Sequence, residues 1–153
     1  MSEIFNPEHV ALGVEVSTKV EALKLLAAEA IRLGLAEDEQ AVLAAYDARE
    51  EEGATGLIEG FSIPHAKTAA ITRAGVLVQT FAQPVDDWET LDASKVTCAI
   101  SLLIPEAEAG STHIKLLSKV AVMIMDEDFR ESFRNATSAQ EIADLIDIRL
   151  TAE

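Results

Sequence analysis

The chain has 153 residues, with 12 Lys plus Arg set against 27 Asp plus Glu, giving a formal net charge of −15. That balance argues against nucleic acid and an anionic membrane surface as partners, because both ask for a basic face. It favours solubility and, where the partner is a protein, a basic one reached quickly through electrostatic steering.

At this length, with 49% hydrophobic and 25% charged residues, one domain over residues 1–153 with its own core is expected. A single cysteine cannot build an internal disulfide framework, which suits a reducing compartment. The opening Met1-Ser-Glu-Ile-Phe-Asn-Pro has neither the basic nor the apolar segment of a secretion signal. The longest apolar runs, 41–46 and 120–125, are six residues each, against about 18 needed to span a bilayer. The expectation is a soluble, cytoplasmic protein without membrane insertion.

Val10, Leu12 and Val14 alternate with smaller or polar residues and predict a short strand. Thr18 and Glu21 have capping-box spacing, and Val20, Leu23, Ala27 and Ile31 then recur at helical intervals, giving a first helix that ends near Gly34. A second helix is predicted over 38–52, stopped by Gly53, with Val42, Ala45 and Tyr46 on its apolar side. Residues 57–64 read as a short extended piece that Pro64 must terminate or hold at a sheet edge. Residues 75–81 and 96–104 are β-rich runs, closed by Pro84 and Pro105, and read as strands well inside a sheet. From Thr112 the pattern returns to helix. Residues 113–125 are apolar nearly all round and predict a largely buried helix, 126–134 a turn into a short helix anchored by Phe129 and Phe133, and 138–150 an amphipathic helix through Ile142, Leu145 and Ile146. The fold class expected is α/β: a single layered domain with a central mixed sheet flanked by helices.

Three histidines are present. His9 has no partner nearby in sequence and reads as a surface or satisfied structural residue. His65 follows Ile63-Pro64, whose restricted backbone stiffens the mouth of a strand and suits a group held at a fixed angle. Near neutral pH its imidazole is available as nucleophile, acid, base or ligand; the plain alternative is a loop histidine with an ordinary hydrogen bond. His113 lies in the first turn of its helix, where Ser111 or Thr112 can act as N-cap and free N–H groups favour an anion. It reads equally as a residue that only caps or packs. Arg49 continues the apolar face of the second helix, so it points at something; the alternatives are a charge complementing the helix dipole or an ion pair with Glu52. The histidines show no ligand spacing and Cys98 sits in an apolar strand run, so no metal is expected and Cys98 is assigned to the core. Neither a phosphate-cradling Walker loop nor a dinucleotide fingerprint is present.

The run Arg49-Glu-Glu-Glu-Gly-Ala-Thr-Gly-Leu-Ile-Glu-Gly-Phe-Ser-Ile-Pro-His-Ala-Lys-Thr, then Gly75-Val-Leu-Val, Gln83-Pro-Val-Asp-Asp-Trp, His113-Ile-Lys-Leu-Leu-Ser-Lys-Val-Ala and Phe129-Arg-Glu, resembles the fructose/mannitol family of IIA components of the bacterial sugar phosphotransferase system. The resemblance covers almost the whole chain in order. It departs at Ile58, where many members have glycine, and at Ser62, where most have alanine.

The resemblance implies an enzyme of the phosphotransferase class with a phosphohistidine intermediate. His65 would accept a phosphoryl group from phospho-HPr and pass it to the cysteine of a IIB domain. His113 and Arg49 match the family positions beside it, and Thr55 and Thr112 are further candidates for phosphate contact. No cofactor and no direct sugar binding is implied. A regulatory role is the alternative: the nitrogen-type relatives use the phosphorylation state of the same domain to control partner proteins. Phosphoryl transfer between histidines asks mainly for positioning and for positive charge or N–H donors on the phosphoryl oxygens, which Arg49 and the start of the last helical region can supply. Seven acids, Glu37, Asp38, Glu39, Asp47, Glu50, Glu51 and Glu52, fall on or beside the helix carrying Arg49 and read either as a solvated face or as a rim that steers a basic partner.

Overall fold

The computed structural model describes residues 4–108 and 110–151. Five strands form an open mixed sheet: β1 (Val10–Val14), β2 (Phe61–Ser62), β3 (His65–Thr68), β4 (Gly75–Val85) and β5 (Val96–Pro105). β4 and β5 are antiparallel, with Val78 opposite Ile100. β1 pairs in parallel with the outer side of β4, while β2 and β3 lie in parallel along the other side of β5. The two long strands are therefore interior, as their continuous apolar runs predict.

Strand alternation distributes the core to both faces. Val76, Val78, Cys98, Ile100, Leu102 and Ile104 pack under α3 (Thr112–Met125), α4 (Glu127–Asn135) and α5 (Ala139–Thr151). Leu77, Ala99 and Leu103 face α1 (Lys19–Arg32) and α2 (Glu39–Glu51). The helix starts are local events. Thr18 and Glu21 make the complete capping box, and Asp38 accepts from the Ala41 N–H. The side of α1 that is buried is shifted from the predicted one, since Ala22, Leu26 and Ala30 join Leu23 and Ala27 in the core while Val20 is exposed.

Two expectations are corrected. β4 runs through Pro84 to Val85 instead of closing before it. Its pairing with β5 shifts between Thr80 and Val85, and its pairing with β1 has already ended at Phe81, opposite Val14, so no ladder bond is asked of the proline. α3 is not buried all round. It lies on the sheet through Leu116, Val120, Met123 and Ile124, leaving Ile114, Val122 and Met125 at 64%, 69% and 58% exposure. A helix resting on one sheet face covers only a stripe, whatever its composition.

Pro64 has the predicted edge position and a more specific job. β2 ends at Ser62, and β3 begins at His65 and resumes pairing with β5 at Leu102. Between them Pro64, which has no N–H to donate, accepts from the Leu102 N–H through its carbonyl at 3.0 Å. Ser62 is fully buried and donates its hydroxyl to the Cys98 carbonyl at 3.1 Å. No described helix is long and apolar enough to cross a membrane.

Candidate functional site

His65 is the first residue of β3. Its neighbour Ala66 packs into the α1/α2 layer, so alternation turns His65 and Lys67 to the side of α3. The His65 ring is held at both nitrogens. Nδ1 lies 2.9 Å from the Ile63 carbonyl oxygen, and Arg49 Nε lies 3.1 Å from Nε2. A carbonyl can only accept and a guanidinium N–H can only donate, so the proton resides on Nδ1 and Nε2 carries the lone pair. Burial, the Arg49 guanidinium and neighbouring His113 hold the His65 pKa below the ordinary imidazole value, against the Ile63 bond and the Glu50 charge, which push upward. The result is a neutral imidazole at pH 7 with a nucleophilic nitrogen.

Arg49 is half-buried in the last turn of α2. Its Nη1 donates to the Gly53 carbonyl at 2.8 Å, which fixes the guanidinium plane while Nε addresses His65. This is the inward arginine the helix pattern predicts. Its hydrogen bonds run to His65 and Gly53, not to Glu52.

His113 stands in the first turn of α3 with its ring centroid 5.1 Å from that of His65 and the planes 52° apart. Its Nε2 is buried without a hydrogen-bond partner. Burial, Lys67 and Arg49 lower its pKa, so it too is neutral at pH 7. Ser111 occupies the N-cap position but makes no side-chain capping bond. The side chain of Thr112 lies outside the described residues. Thr55 is buried, and its hydroxyl and its N–H both donate to the Glu50 carboxylate.

The fold thus brings His65, Arg49 and His113 together from three separate elements. A lone pair, a fixed cation and an unpartnered imidazole nitrogen surround one spot. Such a set suits attack on an electrophile that carries negative oxygens.

Glu50 is the residue that sequence reasoning misplaced. Counted among seven acids read as a solvated face or as a steering rim, it is 8% exposed and enclosed by Thr55 and by Lys19, whose Nζ is 3.6 Å away. A signal was present: positions 42, 46 and 50 repeat at four-residue spacing, which puts Glu50 on the stripe of Val42 and Tyr46. His9 and Cys98 lie apart from the site. His9 is buried, with Nδ1 2.9 Å from the Val76 carbonyl oxygen, and is a satisfied structural residue. Cys98 lies in the core, and burial pushes its thiol pKa up to about 12.

A family model described as "Phosphoenolpyruvate-dependent sugar phosphotransferase system, EIIA 2" matches residues 3–148. The chain is 30% identical over 148 residues to the 2-O-alpha-mannosyl-D-glycerate-specific EIIABC component of Escherichia coli, matching 96% of this chain but only 22% of that longer protein. It is 32% identical to the nitrogen regulatory protein of Bradyrhizobium diazoefficiens, covering 93% of this chain and 91% of the relative. It is also 32% identical to the fructose-specific EIIA component of Haloferax volcanii, covering 95% and 94%. Among solved structures, the nitrogen regulatory protein IIA-Ntr of Neisseria meningitidis superposes with a TM-score of 0.86 at 29% identity, over 94% of this chain and 97% of that one. The mannitol enzyme IIA of Escherichia coli, solved in complex with phosphorylated enzyme IIB, has the same fold, with a TM-score of 0.77 at 22% identity over 94% and 96%.

Proposed function

The chain belongs to the EIIA type 2 family of the phosphoenolpyruvate-dependent sugar phosphotransferase system, and we propose that it is a phosphoryl carrier in sugar uptake, with Nε2 of His65 as the acceptor, phospho-HPr as the donor and a IIB domain as the next acceptor. The observation that carries this reading is the double restraint on one ring: Ile63 takes the Nδ1 proton and Arg49 addresses the Nε2 lone pair. In the transfer the Arg49 Nε–H leaves Nε2 for the phosphoryl oxygens, the lone pair so released forms the new N–P bond, the N–P bond of the donor phosphohistidine breaks, and its electron pair returns to the donor ring. No proton has to leave His65, because its proton is already on the other nitrogen.

Arg49 stabilises the equatorial phosphoryl oxygens with its guanidinium, and His113 donates to them through Nε2 when that nitrogen carries the proton. The Thr55 hydroxyl is already given to the Glu50 carboxylate and is not offered to the phosphoryl oxygens in this state. The mannitol relative solved with a phosphorylated IIB supports IIB as the acceptor. The cytoplasm is the compartment where such a carrier meets both proteins.

A second reading is favoured by the nitrogen regulatory relatives, one 32% identical and one superposing with a TM-score of 0.86. In that reading the phosphorylated and free states bind different partner proteins. Both readings begin at His65.

Mixing the purified chain with phosphoenolpyruvate, enzyme I and HPr should give acid-labile, base-stable phosphate on wild type and none on His65→Ala. Arg49→Ala and His113→Ala should fold and label slowly. Unlabelled wild type, or undiminished label on His65→Ala, would overturn the carrier reading. Passage of the label to a purified IIB domain separates transport from regulation.

A further inference from the structure

Arg49 and Glu50 are consecutive, and their side chains leave α2 in different directions. The first reaches Nε2 of His65 directly. The second enters a buried chain of bonds that ends on the other nitrogen of the same ring. The Glu50 carboxylate accepts the Thr55 hydroxyl in a short hydrogen bond and the Thr55 N–H at 3.2 Å. The Thr55 carbonyl accepts the Ile63 N–H at 3.0 Å. The Ile63 carbonyl then accepts the Nδ1 proton of His65 at 2.9 Å. Each bond fixes the peptide that makes the next.

We infer that Glu50 and Thr55 are positioning residues: through the Ile63 peptide they hold the His65 imidazole in the tautomer and orientation that leave Nε2 unprotonated, its lone pair available to the phosphoryl group once Arg49 turns to the phosphoryl oxygens. The inference rests on the carrier reading for its consequence, but not for its geometry.

The sign of the Glu50 charge supports a positional role. A carboxylate one residue from Arg49 opposes the binding of phosphoryl oxygens, so as a charge alone it would be a handicap to the site. A buried carboxylate also persists only where hydrogen bonds and a cation satisfy it, here Thr55 twice and Lys19 at 3.6 Å. Charge-assisted bonds are the strong ones, and two of them on one threonine set the 53–55 turn rigidly. The same turn gives Arg49 its second anchor, the Gly53 carbonyl. One end of α2 and one turn thereby orient both the nucleophile and its cation.

The test uses the full chain, 15N-labelled, above the titration range of its histidines. Long-range proton–nitrogen correlation should show wild-type His65 with a protonated Nδ1 and a bare Nε2, together with a slowly exchanging Thr55 hydroxyl proton. Thr55→Val, which keeps the shape and loses the hydroxyl, and Glu50→Gln, which loses the charge, should shift His65 towards a mixture of tautomers. Both should slow phosphoryl acceptance about tenfold or more, while donor KM changes less than kcat. Thr55→Ser should recover both readouts relative to the valine variant. Folded Thr55→Val and Glu50→Gln chains that keep the wild-type nitrogen pattern and rate would overturn the inference.

Where a variant does not fold, the wild-type spectrum decides. An Nε2–H pattern, or a Thr55 hydroxyl exchanging at the solvent rate, overturns the inference, and the opposite pattern supports it. A chain that shows the tautomer shifts but takes no label from HPr refutes the carrier reading alone. A labelled chain whose tautomer ignores Thr55 and Glu50 refutes the positioning role alone.

Discussion

A histidine that is bonded at both nitrogens and shielded from water has its protonation state chosen by its surroundings, and His65 is such a residue. Burial acts first, and the Arg49 guanidinium and His113 add to it, so the native pKa lies below the ordinary 6.5. The unfolded chain therefore binds more protons than the native one between that lowered value and 6.5. Stability rises with pH through this window, is fully present above 6.5, and is lost as pH falls towards the native pKa. His113 and His9 shift in the same direction, both chiefly through burial. The kinetic consequence is more specific. With donor well below saturation, phosphoryl acceptance by the proposed carrier should rise with pH and reach half its plateau below pH 6.5, because protonation removes the lone pair that attacks. Rapid-quench labelling across pH 5 to 8 measures this, and a half-rise at or above 6.5 would show that the ring is not desolvated. At this scale much was legible. Ile63-Pro-His announced a stiffened histidine, and the continuation of an apolar face to Arg49 announced an inward arginine. The role of Glu50 was not legible in the same way, because an acid among acids reads as solvated until a partner such as Thr55 is brought beneath it by the turn.

The elements that carry these residues are tied to the sheet by specific contacts, and α2 is the instructive case. Its buried stripe is thin, Val42 and Tyr46 ahead of Glu50, so its placement leans on Tyr46. The Tyr46 hydroxyl lies 2.5 Å from Ser101 Oγ on β5, with both side chains fully buried, and burial pushes the phenol pKa well above its usual value. Tyr46→Phe leaves the Ser101 hydroxyl buried without its partner, which should cost about 1–3 kcal/mol. Adding Ser101→Ala to that variant removes the orphan group and should recover part of the loss, so the two substitutions should couple by about 1 kcal/mol in urea unfolding. Strict additivity would mean that α2 is held by its apolar contacts alone. The same scale explains which elements the sequence foretold. α1 starts at the capping box of Thr18 with Glu21, which was readable, and α2 at the predicted position, where the structure adds the Asp38 cap on the Ala41 N–H. The exposure of Ile114, Val122 and Met125 was not, because composition states how apolar a helix is and not how many layers cover it. Nor was the passage of β4 through Pro84, which depends on where β1 stops.

For the whole molecule the charge of −15 is not evenly spread around the site. With Glu50 withdrawn into the interior, Glu37, Asp38, Glu39, Asp47, Glu51 and Glu52 stay exposed on or beside α2, and the last two directly follow Arg49 and its buried neighbour. α3, on the other side of His65, carries Lys115 and Lys119 and no acid. In the proposed carrier role a donor brings its phosphorylated side chain to His65 Nε2, and so approaches between an acidic ridge and an apolar, weakly basic one. A basic donor face is then drawn to the α2 side before contact, and the attraction acts on encounter, not on chemistry. Raising ionic strength from low to physiological should lower kcat/KM for the donor by about tenfold or more, with kcat unchanged. Asp47→Asn with Glu51→Gln should flatten that slope without touching the nucleophile or its tautomer. A salt-independent kcat/KM would reduce these acids to a solvated helix face and leave recognition to the exposed apolar side chains of α3.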